Sequence, residues 1–398
     1  MTTDTAFDPT APLPGSPDPW DSTGQPSVRP GPPFHMTDMI AAEPALARRI
    51  LASVGAPGGA GTALADLIRT TLQASEPVVV TGCGTSEHGA QGTADILREA
   101  VRAVGLTKAR VEAAQAFELS LDPPSRGLVI GVSHEGATGA TNAVLVAARA
   151  AGARTAVLTV SGRSPSGALA DVVVETHELD QGWCHTIGYV SPLLAAAAVG
   201  ALLSGRLLDA KAVSDLLAAG TRDEVGAERI AARLAGAAHL LVIASGSDRT
   251  AGRELVLKVE EASYLPSAYR DLETFLHGHL PATGPETGLV LVLTDRDGRT
   301  TRLARARSAL AAARIIGLRA AAILAADLDS ELEPSLTPAG RLLVPEAPGL
   351  PNPVAALLGS ATPLQLLTER LSRARGTNPD PIRRDDPIYV AAAEAADA

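Results

Sequence analysis

Residues Val129 to Asn142 read Val-Ile-Gly-Val-Ser-His-Glu-Gly-Ala-Thr-Gly-Ala-Thr-Asn. The apolar run Leu128 to Val132 predicts a buried strand, Ser133 to Thr138 a small polar turn, and Thr141 to Ala150 a helix. Such a turn presents hydroxyls and backbone N–H groups to an anion at a helix N-terminus. Its spacing matches neither a P-loop nor a dinucleotide-binding loop. An ordinary tight turn is the alternative interpretation.

The same alternation of short apolar runs and helical patterns occurs on both sides of this stretch. A second Gly- and hydroxyl-rich turn, Thr81 to Ser86, follows the apolar run Val78–Val80. The other predicted strands are Thr155–Val160, Val172–Glu175, His239–Ala244, Leu289–Leu293, Ala320–Leu324 and Arg341–Val344. Strands that alternate with helices predict parallel sheets covered on both faces, so the fold class is α/β, in two similar units.

Composition divides the chain into five segments. Residues 1–33 contain nine prolines and no periodic pattern, which predicts a disordered tail. Residues 34–205 form the first unit with its N-terminal helices, 206–222 a connector, and 223–376 the second unit. Residues 377–398 are predicted to be a C-terminal tail.

Bulk properties exclude several classes of protein. A net charge of −10 argues against nucleic acid as a partner. The two cysteines, Cys83 and Cys184, cannot build a disulfide framework, which indicates a reducing cytoplasm. No uninterrupted apolar run reaches about 18 residues, so no membrane segment is predicted. His88, His177 and His185 have no metal-ligand spacing, and no metal site is expected.

One helical stripe carries acid–base side chains. Glu254, Lys258 and Glu261 are spaced i, i+4 and i+7, which places them on one helix face. From the residues alone, a solvated row of salt bridges is the alternative to a catalytic group. His277 lies in an apolar setting, where a histidine is structural more often than catalytic.

Four stretches together carry a resemblance to a known family. They are Gly82–Ser86, Ser133–Thr138, Glu254–Tyr264 with His277-Gly278, and Pro363–Leu367 with Arg375–Asp380. Their order and spacing resemble tandem sugar isomerase (SIS) domain proteins, most of all the isomerase half of the glucosamine-6-phosphate synthases. The resemblance covers about residues 34–390 and implies a five-stranded parallel sheet flanked by helices in each unit.

The resemblance also implies a site. The first unit's two turns would hold a sugar phosphate, with substrate-binding residues Thr85, Ser86, Ser133, His134, Glu135 and Thr138. Glu261 matches the family's proton-shuttling glutamate and Lys258 its supporting lysine. His277 matches the residue that opens the sugar ring and would reach the site of a partner subunit. The family implies a homodimer or larger assembly and no cofactor.

Two positions depart from the family pattern. Glu135 stands where the family has a small hydroxyl residue, and a carboxylate beside a phosphate would cost several kcal/mol at an effective dielectric near 20. Either Glu135 points away, or the ligand carries no phosphate there. The family's tail lysine is absent, since the only lysines are Lys108, Lys211 and Lys258. Arg383 and Arg384 occupy the tail instead, and no Schiff base is expected from it.

The expected activity is aldose–ketose isomerisation of a sugar, in particular an amino-sugar phosphate, with or without gain or loss of ammonia. No glutaminase half is expected, because residue 2 is Thr. A non-catalytic sugar-phosphate-binding regulator and a fructosamine-phosphate deglycase are the alternatives. The sequence leaves the choice among these open.

Overall fold

Two parallel sheets of five strands each organise the molecule. The computed structural model describes residues 7–22 and 27–397. The strands are β1 Val78–Gly82, β2 Val111–Gln115, β3 Leu128–Val132, β4 Arg154–Thr159, β5 Val172–Glu175, β6 His239–Ala244, β7 Ser267–Asp271, β8 Thr287–Leu293, β9 Arg319–Ala325 and β10 Gly340–Val344. The sheet orders are β2-β1-β3-β4-β5 and β10-β9-β8-β6-β7. The predicted α/β class with two five-stranded parallel sheets is confirmed.

Helices cover both sheets. They are α1 His35–Val54, α2 Ala60–Gln73, α3 Thr85–Ala103, α4 Ala116–Leu121, α5 Gly139–Ala151, α6 Pro165–Leu169, α7 Ile187–Ser204, α8 Ala210–Gly220, α9 Glu224–Leu234, α10 Asp248–Ser263, α11 Leu272–Thr274, α12 Arg299–Ile316, α13 Asn352–Arg375 and α14 Pro387–Asp397. A π turn, Phe275–His279, and three 3-10 turns complete the secondary structure of the described residues.

The central strands are apolar throughout because helices bury both of their faces. All five residues of β1 and of β3 are buried, and Val80 lies between Ala113 of β2 and Ile130 of β3. The strands β2 and β7, by contrast, were not among the predicted apolar runs. They are edge strands in which only Val111 is buried, and polar residues interrupt their sequences, Val-Glu-Ala-Ala-Gln and Ser-Ala-Tyr-Arg-Asp, so they carry no apolar signal.

The two units share one apolar core. Helices α3 and α7 of the first unit pack together, and α13 of the second unit contacts both of them. The helix α7 is long and apolar enough to cross a membrane, but 83% of it is buried within the protein. Its apolar character therefore comes from its position at the centre of this core.

The predicted disordered tail, connector and C-terminal tail are the segments that differ most from a simple reading of composition. The described part of the Pro-rich stretch has no helix or strand, yet Leu13 N–H donates to the buried carboxylate of Glu178 at 2.8 Å. Residues 1–6 and 23–26 lie outside the described residues. The connector contains α8, which packs on α1, and the C-terminal segment contains α14. Composition alone misses such contacts because they depend on distant partners.

Candidate active site

Two turns of the first unit meet where the strand order of its sheet reverses. After β1 the chain forms β2 on one side, and β3 lies on the other side of β1. The turns Cys83–Ser86 and Ser133–Thr138, here called the first-unit turns, follow the carboxyl ends of β1 and β3. Open α/β sheets bind ligands at such a switch point, outside the carboxyl ends of the strands.

The predicted hydroxyl residues lie at or before two helix N-termini in these turns. Thr85 begins α3, and Ser86 is the next residue. Thr138 is the N-cap residue of α5, and Ser133 Oγ lies 3.5 Å from Thr138 Oγ1. Neither helix has a side-chain hydrogen bond at its N-cap. In α3 the N–H groups of Ser86 and Glu87 already donate to Cys83 O and Gly84 O, whereas at α5 the first donor to a carbonyl of the turn is Asn142 N, to Thr138 O. The backbone N–H groups that precede Asn142 in α5 are thus available for an anion.

His134 and Glu135 differ from these hydroxyl residues. His134 is buried, and its Nε2 accepts a hydrogen bond from Asp180 N at 3.0 Å. Asp180 in turn accepts from the N–H groups of Ile187 and Gly188, at the start of α7. His134 therefore anchors this helix, whereas Glu135 is partly exposed and has no side-chain hydrogen bond to any described residue. The binding roles of both stay predictions.

The Glu/Lys/Glu stripe of α10 is buried rather than solvated. The side chain of Lys258 is 0% exposed and that of Glu254 is 1% exposed. Lys258 Nζ lies 2.5 Å from Glu261 Oε2 and 3.7 Å from Glu254 Oε1. His88 of α3 joins from the first unit, with its Nδ1 2.6 Å from Glu254 Oε2. These four residues are called the acid–base cluster.

Burial and pairing set the ionisation of this cluster. Burial would lower the pKa of Lys258, but the carboxylate of Glu261 and its other neighbours raise it above 10.5. The lysine therefore stays cationic. Burial raises the pKa of Glu261 above its ordinary 4.5, against the opposing effect of Lys258. A carboxylate with a raised pKa is a better match for proton transfer near neutral pH.

The stripe was visible in the sequence, but its contacts with two residues of the first unit were not. His88 was considered only as a metal ligand, and its spacing from Glu254 is 166 residues. Cys184 lies beside Lys258 and Glu261, and burial raises its thiol pKa well above 9. The only local signal for His88 was its position one turn into α3, after the hydroxyl-rich turn. The two helices touch again where Arg253 Nη1 donates to Gln91 Oε1 at 2.8 Å.

His277 lies apart from the acid–base cluster of its own chain. Its side chain is 70% exposed, and Nε2 lies 2.7 Å from Glu273 Oε1. Glu273 also pairs with Arg305. The residue sits in a kink, where Gly278 has a φ of +106°. Its proposed role in the site of a partner subunit stays a prediction.

A cavity of about 440 Å³ opens beside Glu261, whose side chain is 22% exposed. Its wall includes Tyr264, Ile382, Arg383 and Tyr389. Arg383 stacks on the Tyr264 ring at 4.1 Å and on the Tyr389 ring at 4.6 Å. The C-terminal segment thereby forms one wall of this cavity beside Glu261. Among the described residues, no group of three His, Cys, Asp or Glu side chains is arranged to hold a metal ion.

Comparisons with known proteins agree with this architecture. No family model matches the chain. Glutamine–fructose-6-phosphate aminotransferase [isomerizing] of Gloeobacter violaceus is 26% identical over 331 residues, which cover 77% of this chain and 50% of that protein. The chain thus spans about half the length of the curated relative that it matches. The resemblance to the isomerase half of such enzymes is confirmed.

Solved structures share the fold. The C-terminal domain of glucosamine-fructose-6-phosphate aminotransferase from Francisella tularensis matches with a TM-score of 0.76 and 16% identity, over 89% of this chain and 99% of that chain. Tagatose-6-phosphate ketose/aldose isomerase from Escherichia coli has a TM-score of 0.68 and 17% identity, over 87% and 95%. Glucosamine-6-phosphate deaminase from Thermotoga maritima has a TM-score of 0.57 and 16% identity, over 84% and 97%.

Proposed function

We propose that this protein is an enzyme that binds a sugar phosphate, in particular an amino-sugar phosphate, and interconverts its aldose and ketose forms. The acid–base cluster carries the proposal. Burying a lysine between two glutamates costs free energy of desolvation, and buried charge clusters of this kind are concentrated at functional sites. Similarity to the isomerase half of an aminotransferase adds support. The loss or gain of ammonia at C2 is a variant of the same chemistry.

In this proposal Glu261 moves the proton between C1 and C2 of the open-chain sugar. Its Oε2 faces Lys258, whose charge holds the carboxylate in place. The first-unit turns bind the phosphate through Thr85, Ser86, Ser133 and Thr138 and through the N–H groups at the start of α5. Binding the phosphate there places the sugar near α10, since a Cβ on Gly84 would lie 4.0 Å from Leu257 Cδ2.

The substitution Glu261→Gln tests the proposal. It removes the base and keeps the size of the side chain, so turnover should fall about a thousandfold. Glu260→Gln is the matched control, because Glu260 is exposed and accepts a hydrogen bond from Ser267 N. The measurement is the uptake of deuterium at C1 and C2 of three sugars: fructose 6-phosphate, glucosamine 6-phosphate and fructosamine 6-phosphate. Unchanged uptake in Glu261→Gln would remove Glu261 from the mechanism.

The same experiment separates the alternatives. A regulator binds the sugar phosphates but exchanges no carbon-bound hydrogen, and a deglycase acts on fructosamine phosphate alone. Thermal shifts with each phosphate and its unphosphorylated sugar then decide the ligand class, since a ligand at about 100 times its Kd stabilises by about 2.7 kcal/mol. A homodimer in which His277 reaches the partner's site and a cytoplasmic location stay predictions.

A further inference from the structure

A buried carboxylate, Asp380, joins the C-terminal segment to the N-terminal part of the chain. The residue is 1% exposed. Its side chain accepts hydrogen bonds from His35 N at 3.0 Å and from Arg29 N at 3.3 Å. Its backbone carbonyl accepts from Trp183 N at 2.8 Å, and Asn378 Nδ2 donates to Arg29 O at 2.7 Å. The Pro-rich stretch 27–34, the start of α1 and the loop before α7 therefore all contact the C-terminal segment at one place.

The start of α1 is a favourable partner for this carboxylate. His35 is the first residue of α1, so Asp380 lies at the positive end of the helix dipole. The first N–H groups of a helix have no acceptor within the helix, and a buried carboxylate needs donors to offset its lost hydration. Asp380 finds these donors where the C-terminal segment lies against stretch 27–34. Its charge therefore holds the two together.

The residues that follow Asp380 reach the cavity beside Glu261. Ile382, Arg383 and Tyr264 line that cavity. All three have positive φ angles, of +42°, +62° and +54°. Residues other than glycine are strained in this region and stay there only where their surroundings hold them. The hydrogen bonds of Asp380, two residues before Ile382, contribute to that hold.

We propose that Asp380 is a positioning residue for the reaction, an inference that rests on the proposed function. It fixes the C-terminal segment against stretch 27–34, so that Ile382 and Arg383 form the cavity wall beside Glu261 when the sugar binds. Asp380 is not part of the cavity lining and acts through the segment. A stretch that composition predicts to be disordered is thereby required for tight binding of the substrate.

A purely structural role for Asp380 has a different kinetic consequence. The acid–base cluster forms no hydrogen bond with Asp380, so Glu261 stays paired with Lys258 when the contacts of Asp380 are lost. A displaced cavity wall then weakens binding and leaves the reaction of the bound sugar unchanged. A residue that only stabilises the fold changes the amount of active protein, which lowers the apparent kcat at an unchanged KM.

Steady-state kinetics of Asp380→Asn, with fructose 6-phosphate and glucosamine 6-phosphate as probes, separates the two roles. The amide keeps the size of the side chain but removes the charge and one acceptor oxygen. KM should rise about tenfold or more, and kcat should stay within about threefold of the wild-type value. Asn378→Ala, which removes the hydrogen bond to Arg29 O, should also raise KM. Asp385→Asn is the matched control, because Asp385 is exposed in the same segment, and both constants should stay unchanged.

Fluorescence follows the position of the segment without turnover. Arg384 stacks on the Trp183 ring at 3.7 Å, and Trp20 is the only other tryptophan of the chain. In a Trp20→Phe background, quenching of Trp183 by acrylamide should increase about twofold in Asp380→Asn, because the segment opens locally. The same measurement on Asp385→Asn should match the parent protein.

The outcomes separate the two levels of the proposal. Wild-type protein that neither binds nor turns over either sugar phosphate overturns the proposed function, and the role of Asp380 with it. With active wild-type protein, an unchanged KM in Asp380→Asn, or a kcat that falls by more than about threefold, overturns the positioning role alone. A higher KM without greater quenching of Trp183 overturns it as well. If circular dichroism shows that Asp380→Asn does not fold, the same criteria apply to Asn378→Ala.

Discussion

The corresponding turns of the two units differ in what fills them. In the first unit, hydroxyl residues begin α3 and precede α5, and no side chain caps either helix. The second-unit turns are Ser245–Asp248 and Thr294–Gly298. Each of them places a carboxylate that accepts hydrogen bonds from the backbone N–H groups of the other. Asp248 accepts hydrogen bonds from Thr294 N at 2.6 Å and Asp295 N at 2.9 Å, and Asp295 accepts from Ser247 N at 2.7 Å.

In the second unit, two buried carboxylates thus accept hydrogen bonds from backbone N–H groups of the kind that a phosphate would need. Asp295 is held further by Asn352 Nδ2 at 2.7 Å and by Arg302 at 3.1 Å. One strand–turn–helix pattern therefore serves two purposes. With hydroxyl residues the turns leave backbone N–H groups for a ligand. With carboxylates the turns satisfy their own N–H groups, and these hydrogen bonds contribute to stability.

The largest effect is expected from placing a carboxylate in the first unit. Ser86 is the second residue after Gly84, as Asp248 is after Gly246. Ser86→Asp should therefore weaken binding of a sugar phosphate about a thousandfold, because two like charges 4 Å apart repel by about 4 kcal/mol at an effective dielectric of 20. Calorimetric titration measures this, with Ser86→Ala as the control. Equal affinity in both variants would contradict a phosphate site at this turn.

Removing a carboxylate from the second unit should lower the stability of the fold. Asp248→Ala leaves buried donors of Thr294 and Asp295 without partners, and the free energy of unfolding should fall by about 3 kcal/mol. Urea denaturation measures the loss. The first-unit control, Ser86→Ala, should cost about 0.5 kcal/mol or less. If the two variants unfold alike, Asp248 is not the stabilising element that the comparison requires.

The stability of the protein should also depend on pH through the buried carboxylate of Asp248. Burial raises the pKa of Asp248 from 3.8 to about 6. A raised pKa in the folded state means that the contribution to stability is complete below about pH 4 and is lost as the pH rises through about 6. The free energy of unfolding should fall, relative to Asp248→Asn, by roughly 1.4 kcal/mol per pH unit in this range. If the free energies of unfolding of the wild-type protein and Asp248→Asn change with pH in parallel, the raised pKa of Asp248 is refuted.

The smallest effect concerns the one carboxylate of the first-unit turns. Glu135→Ser should strengthen binding of a phosphate ester about tenfold, because it removes a partly exposed negative charge from the turn. Glu135→Gln, which keeps the size, should do nearly the same. The ratio of affinities for the phosphorylated and free sugar is the measurement. Weaker binding in both variants would identify Glu135 as a ligand of the sugar.

Much of the fold could be predicted because its signals are local. Apolar runs such as Leu128–Val132 reported the central strands, which are buried on both faces. The edge strands β2 and β7 gave no such signal, since their sequences, Val-Glu-Ala-Ala-Gln and Ser-Ala-Tyr-Arg-Asp, interrupt the apolar run with polar residues. The edge strands β5 and β10 kept an apolar run and were predicted. The position of His88 beside Glu254 could not be predicted either, because no periodicity relates residues on helices of different units.

By itself, the sequence determined the α/β class with two parallel sheets, the hydroxyl-rich turns and the Glu254, Lys258 and Glu261 stripe. These follow from residue spacing within one element, which local backbone geometry converts directly into a face or a turn. Only the tertiary structure decided that the stripe is buried, that His88 completes it, and that the second-unit turns are filled. Burial and long-range pairing depend on which surfaces pack together, and local spacing does not encode that choice.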